Sequence, residues 1–390
     1  MSTSSIKSTA LEPDASLDGA ATTVLQRLLR AAPAYGLLVL TVALALLFSL
    51  LLPDTFPTLF NLRAILSDKS IIALLALAAM IPMITGKIDL TVGYGIVLWH
   101  ILAISLQTRY GVPWPVAVAV VLACAALFGM LNGLLVELAQ IDSFIATLGS
   151  GTVLYAVAMW HSGGRQVVGE LPAGFVGLAG ADLLGLPVPA FYVAAVALLL
   201  WLLTEYTPLG RALYVIGANP KAAELNGISV RRHVMGAFVA SGALSAFAGV
   251  LLASRLQIGQ ASVGLEFLLP ALVGAFLGST TIRPGRVNVW GTLVGVAILA
   301  IGISGIQQFG GAFYVEPLFN GLTLLVSIGI AGWAQARRNA SIRRRISERQ
   351  LVQPPAADAA GGAAIPSALS PEHSPEHSHD AAPAASRHAA

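Results

Sequence analysis

Residues 112–136 read VPWPVAVAVVLACAALFGMLNGLLV, 25 residues without an Asp, Glu, Lys or Arg. An α-helix rises about 1.5 Å per residue, so about 20 apolar residues cross the hydrocarbon core of a bilayer. The runs 183–204, 234–254, 287–315 and 317–336 are also free of charge and meet or approach that length. Over all 390 residues, 56% are hydrophobic and 11% charged. This pattern describes an all-α integral membrane protein, whose function lies in passage or signalling across a bilayer.

Working outward from 112–136, about ten transmembrane helices are expected, at 34–52, 70–86, 89–107, 113–137, 143–160, 187–204, 234–254, 265–281, 288–309 and 315–335. A broken helix is expected near 82–95, where Pro82, Gly86, Gly93 and Gly95 interrupt the pattern. Ten spans put both termini on one side. All but five of the 22 Lys and Arg residues then share that side, and the other five are Arg63, Lys69, Arg109, Arg165 and Arg255. By the positive-inside rule both termini are cytoplasmic. The bias also explains the net charge of +3 without a nucleic-acid partner.

Residues 1–30 are polar, and residues 337–390 pass from an arginine cluster into Ala, Pro, Ser and His. Both are too poor in large apolar residues to build a core and are expected to be disordered cytoplasmic tails around a 31–336 membrane domain. The single cysteine, Cys124, excludes an intramolecular disulfide and a cysteine metal site. The N-terminus carries no cleavable signal pattern. Small residues four apart, Gly129/Gly133, Gly274/Gly278 and Gly291/Gly295, point to close helix packing within the bundle.

The polar residues inside the apolar pattern are few. The segment 85–95, TGKIDLTVGYG, sets Lys87 and Asp89 between two spans. It reads either as a discontinuity lining a solute pathway, with Asp89, Thr91 and Gly93 on it, or as a tight solvated turn. Glu266 begins the eighth span and lies either on that pathway or at the outer interface. His100 reads as a hydrogen-bonded interior histidine. In the loop 205–233, Asn219 can cap a helix that starts with Pro220, contains Ala222, Ala223 and Glu224, and stops at Gly227. A helix of about two turns needs a surface to hold it.

No G-x-x-x-x-G-K-[ST], H-E-x-x-H or G-x-S-x-G motif occurs, so the chain is read as a non-enzyme with no catalytic residue, no metal and no cofactor of its own. An ion-coupled secondary transporter of a small polar solute stays open at this point, with Asp89, Glu266 and His100 as the few groups that could carry coupling.

Three ordered segments carry a family pattern. Residues 86–93 (GKIDLTVG), 143–168 (SFIATLGSGTVLYAVAMWHSGGRQVV) and 207–228 (TPLGRALYVIGANPKAAELNGI), continued by 241–253 (SGALSAFAGVLLA), resemble the permease subunits of ribose-type ABC importers. The resemblance spans about 60–335. It implies a bacterial inner-membrane permease for a monosaccharide or sugar-like solute. The implied partners are a cytoplasmic ABC ATPase, a periplasmic or extracellular solute-binding protein and a second permease copy. It also implies that Asn219, Pro220, Ala222, Ala223, Glu224 and Gly227 form the ATPase-coupling loop. On the outer face, Arg63, Arg109, Arg165 and Arg255 are candidates for docking the binding protein. The stretch 262–286 departs from the ribose pattern, with Leu268 in place of an Asp and 281–284 (TIRP) breaking a glycine run. A non-sugar solute, such as a branched-chain amino acid or nucleoside, is therefore an alternative. The His-rich stretch 372–380 is not part of the resemblance.

Overall fold

The computed structural model describes residues 35–312, 314–326 and 329. The chain divides into two units, Met1–Ala336 and Arg337–Ala390, and every described residue belongs to the first. The tails 1–30 and 337–390, including 372–380, lie outside the described residues.

Seven helices are long and apolar enough to cross a membrane: α2 (Leu59–Ile84), α3 (Thr91–Thr108), α4 (Trp114–Glu137), α5 (Ser143–Ser162), α7 (Val188–Tyr206), α10 (Val230–Leu256) and α12 (Val289–Gln308). Three shorter apolar segments, α1 (Tyr35–Leu51), Leu265–Leu277 and α13 (Val315–Val326), match the remaining expected spans. Within the second of these, a 3-10 turn at Leu265–Phe267 leads into α11 (Leu268–Leu277). Short helices α6 (Ala173–Gly180), α8 (Pro208–Ala218) and α9 (Pro220–Leu225) lie in the connections. Strands β1 (Asp182–Leu183) and β2 (Leu186–Pro187) pair antiparallel across one turn. The end of the bundle carrying Lys87, α8 and α9 is called the basic end, and the end carrying Arg109 and Arg165 the opposite end.

Helices α2, α3 and α10 form the centre, and α4, α5 and α7 present more exposed faces. Lipid tails are as apolar as leucine, so burial alone does not drive these helices together; close packing of small residues does. In α2, Ala76, Ala78 and Ala79 are fully buried, and in α10 so are Ser241, Ala246 and Ala248. Helices α4 and α10 nearly touch: a Cβ at Gly129 would stand 2.3 Å from the Phe238 carbonyl oxygen. The other two glycine pairs face each other across α11 and α12. A Cβ at Gly295 would meet the Gly274 oxygen at 2.6 Å, and one at Gly291 the Gly278 oxygen at 2.6 Å. All three pairs thus pack within the chain.

Helix α2 starts at Leu59, well before the expected 70, and two of the three charges in that added stretch are matched across the bundle. Lys69 Nζ lies 3.3 Å from Glu316 Oε1, and Asp68 pairs with Arg255. Thr58 caps this start by accepting from Asn61 N. Helix α10 likewise begins at Val230 rather than 234. The eighth expected span, 265–281, is helical only to Leu277.

Candidate functional site

The discontinuity at membrane depth lies at 257–267. Helix α10 stops at Gln257, whose φ of 56° is left-handed, and the chain then runs irregularly down the side of α3. Gly259 lies against Ile101, Gly264 (φ 128°) against Val97, and Leu268 against Gly93. From Ile101 to Gly93 is about 12 Å of helix. Non-helical backbone survives at that depth only where protein or a water-filled cavity supplies its partners. Val167 and Gly259 exchange two backbone hydrogen bonds of 2.8 Å. Gly264 N donates to Glu266 Oε2 at 2.9 Å, and Gln260 N donates to His100 Nε2 at 3.0 Å. An N–H can only donate, so the His100 proton sits on Nδ1 and is given to the Ile96 carbonyl at 2.9 Å. His100 is the hydrogen-bonded interior histidine expected.

The same segment walls a cavity of about 620 Å³ in the opposite half of the bundle. Glu266, Phe267 and Pro270 line one side, and Lys69, Arg255 and Glu316 another. The two ion pairs described above neutralise Asp68, Lys69, Arg255 and Glu316, and Glu266 leaves one acid on the walls. Asn320, 4% exposed, also lines the cavity, and its Oδ1 has no hydrogen-bond partner among the described residues. A neighbouring cavity of about 620 Å³ shares Asp68 and Lys69 and adds Asn61, Ser304, Gln307 and Gln308. Paired charges with carboxamides, hydroxyls and the acid of Glu266 suit hydrogen bonding to a polar, many-hydroxyl solute.

The segment 85–90 is a turn between two helices, with its acid buried. Gly86 (φ 78°) ends α2, and Lys87 Nζ lies 3.4 Å from Glu137 Oε1 at the end of α4. Ile88 N and Leu90 N donate to Ser143 Oγ and Thr147 Oγ1, each at 3.1 Å. Asp89 is 1% exposed. Its Oδ1 accepts from Thr91 N at 2.9 Å and from the Thr91 hydroxyl, and its Oδ2 accepts from Ser241 Oγ at 2.7 Å. Asn132 donates to Thr91 Oγ1 at 3.3 Å, and Ser150 donates to Asn132 Oδ1 at 2.7 Å. The Asp89 carboxyl therefore ties α3 to α10 directly, and Thr91 and Asn132 extend the network to α4 and α5. Of the four residues expected on a solute route, Glu266 lines the cavity, Asp89 and Thr91 belong to this knot, and Gly93 seats α11. A Cβ at Gly93 would stand 2.3 Å from Leu268 Cβ.

At the basic end, α9 forms as its caps dictate. Asn219 accepts from Ala222 N at 3.0 Å, Pro220 opens the helix, and Gly227 (φ 77°) follows it. Ala223 is fully buried among Ile216, Val230, Val234 and Phe238, so it anchors α9 to the bundle. The outward face carries Pro220, Lys221, Glu224 and Leu225, the last 85% exposed. Helix α8 links this element to the Asp89 turn, because Gly217 lies directly beneath the end of α2. A Cβ there would fall 2.0 Å from the Ile84 carbonyl oxygen.

The four arginines expected on one face are used differently. Arg255 pairs with Asp68, and Arg109 donates to the His161 carbonyl at 3.1 Å. Arg63 is half-buried beside the β1–β2 turn at Gly185. Arg165 is exposed and forms no ion pair among the described residues. Sequence reasoning missed Leu225, whose signal was a large apolar residue on a capped helix outside the spans. It also missed Asn320 and the 257–267 descent, where Gly259 and Gly264 were the available cue.

The family model described as branched-chain amino acid transport system / permease component matches residues 61–331. Relatives include the ribose import permease protein RbsC of Bacillus subtilis, 33% identical over 297 residues, covering 76% of this chain and 90% of the relative. RbsC of Haemophilus influenzae is 29% identical over 290 residues, covering 74% and 89%. The autoinducer 2 import system permease protein LsrD of Escherichia coli is 30% identical over 280 residues, covering 70% and 84%. No solved structure matches the chain. The ordered motifs, the ten apolar segments and these matches agree: this chain is a multi-pass membrane permease that belongs to the branched-chain amino acid transport system / permease component family.

Proposed function

We propose that this chain is the membrane-spanning subunit of an ATP-driven, binding-protein-dependent importer for a monosaccharide or sugar-like solute. The observation that carries this reading is the identity with ribose import permeases over about nine tenths of their length. The cavity beside 257–267, with its paired charges and carboxamides, agrees with it. The basic end faces the cytoplasm, where the ATPase docks on α9, and the opposite end receives the solute from a binding protein. A second permease copy completes the route. Closure of the ATPase moves α9, and the contact of Gly217 with Ile84 carries that movement to the Asp89 turn, biasing the bundle between outward- and inward-open states. The family description favours a second reading, a branched-chain amino acid as solute.

Reconstitution with its ATPase and binding protein in vesicles tests the reading. Labelled ribose is expected to accumulate with ATP hydrolysis, and leucine to stay at background. Leucine uptake instead would establish the second reading. Uptake that follows a proton gradient without ATP would replace both by an ion-coupled carrier. On the outer face, Arg165→Glu is expected to slow association with the binding protein several-fold and to weaken its salt dependence, as loss of a steering charge does. Equal association rates across ionic strengths for wild type and variant would remove Arg165 from the docking surface.

A further inference from the structure

At the basic end a groove of about 420 Å³ opens between α7, α8, α2 and α10. Its walls are apolar: Ile81 of α2, Leu200 and Leu203 of α7, Leu213 of α8, and Ala237 and Ala240 of α10. Its mouth is basic, with Arg232 and His233 from the first turn of α10. Arg232 is exposed and forms no ion pair or side-chain hydrogen bond among the described residues, and Arg231 beside it is likewise exposed. No acid lines the groove, and Glu205 near the end of α7 is held by Arg283. His233 Nδ1 donates to the Ser229 carbonyl at 2.8 Å, so Arg232 is the group at the mouth left to meet an anion.

We propose that this groove binds one anionic glycerophospholipid, with its phosphate at Arg232 and an acyl chain along α10. From Arg232 to Ala240 the groove runs about 12 Å along the helix, a depth that lies within one leaflet. Gly236 and Ala240 leave the floor bare, and a Cβ at Gly236 would meet no atom within 4 Å. Hydrocarbon fills such a space equally well from any lipid, so the chain gives no preference. The unpaired arginine at the boundary does, because basic residues there attract anionic headgroups. The charge complementarity favours a lipid over a second copy of this chain, whose corresponding surface carries the same positive charge.

The test uses the full chain reconstituted in vesicles of phosphatidylglycerol and phosphatidylcholine, followed by mild delipidation and mass spectrometry of the retained lipid. Wild type is expected to retain phosphatidylglycerol enriched several-fold over the bulk ratio. Gly236→Phe fills the floor and Arg232→Gln removes the headgroup charge at an exposed site, so each is expected to return the ratio to bulk with oligomeric mass unchanged. Wild type at the bulk ratio overturns the proposal, as does enrichment that persists in Arg232→Gln. A smaller oligomer for Gly236→Phe would make the groove an interface between copies and also overturn it.

Discussion

Leu225→Ala is expected to remove solute-stimulated ATP hydrolysis while leaving the permease folded and inserted. Leu225 is 85% exposed on a six-residue helix outside the membrane spans, so truncation leaves no cavity in this chain. Alanine is also a strong helix former, so α9 persists. Burying a leucine side chain against a partner contributes about 2 kcal/mol, and losing that corresponds to about 30-fold weaker assembly. Titration of the purified ATPase against permease in vesicles reads the affinity, and the hydrolysis rate reads the coupling. Wild-type values in both would place the contact elsewhere. Ala223→Asp gives a different outcome. That side chain is fully buried under α9, so a charge there costs folded protein and not coupling alone.

Asp89→Ala is expected to be the most destabilising single substitution at the basic end. It leaves the Thr91 amide, the Thr91 hydroxyl and the Ser241 hydroxyl without their acceptor in a site 1% exposed. Each buried donor left unpaired costs about 1–3 kcal/mol, and the hydroxyls can turn toward other acceptors. A net loss of about 2–4 kcal/mol follows. Asp89→Asn keeps one acceptor oxygen at nearly the same shape and is expected to lose about half as much. Thermal unfolding of the purified variants in detergent reads the order. Equal melting temperatures for wild type, Asn and Ala would show that the knot does not hold α3, α4, α5 and α10 together. Normal stability with lost transport would move Asp89 from a structural role to the solute route.

The span pattern was legible in the sequence because bilayer thickness acts on local composition. A charge-free run such as 112–136 has few alternatives to a crossing helix, whatever its neighbours do. The caps of α9 were legible for the same reason, since Asn219, Pro220 and Gly227 act on the backbone within a few residues. The start of α2 was not. Asp68 and Lys69 read as loop residues until Arg255 and Glu316, far along the chain, supply the opposite charges that let the helix continue.

The site divides along the same line. Sequence picked out Asp89 and Glu266 as unusual, because an acid inside an apolar pattern stands out by composition alone. Tertiary structure decided their surroundings: Ser241 brings the donor that buries Asp89, and the descent of 257–267 along α3 places Glu266 on a cavity wall. It also decided which side of α9 faces outward, burying Ala223 and leaving Leu225 exposed. Composition within about 20 residues determines whether a segment crosses the membrane. The partner of a buried polar group is set by helices brought together from across the chain, and that pairing is written in no single segment.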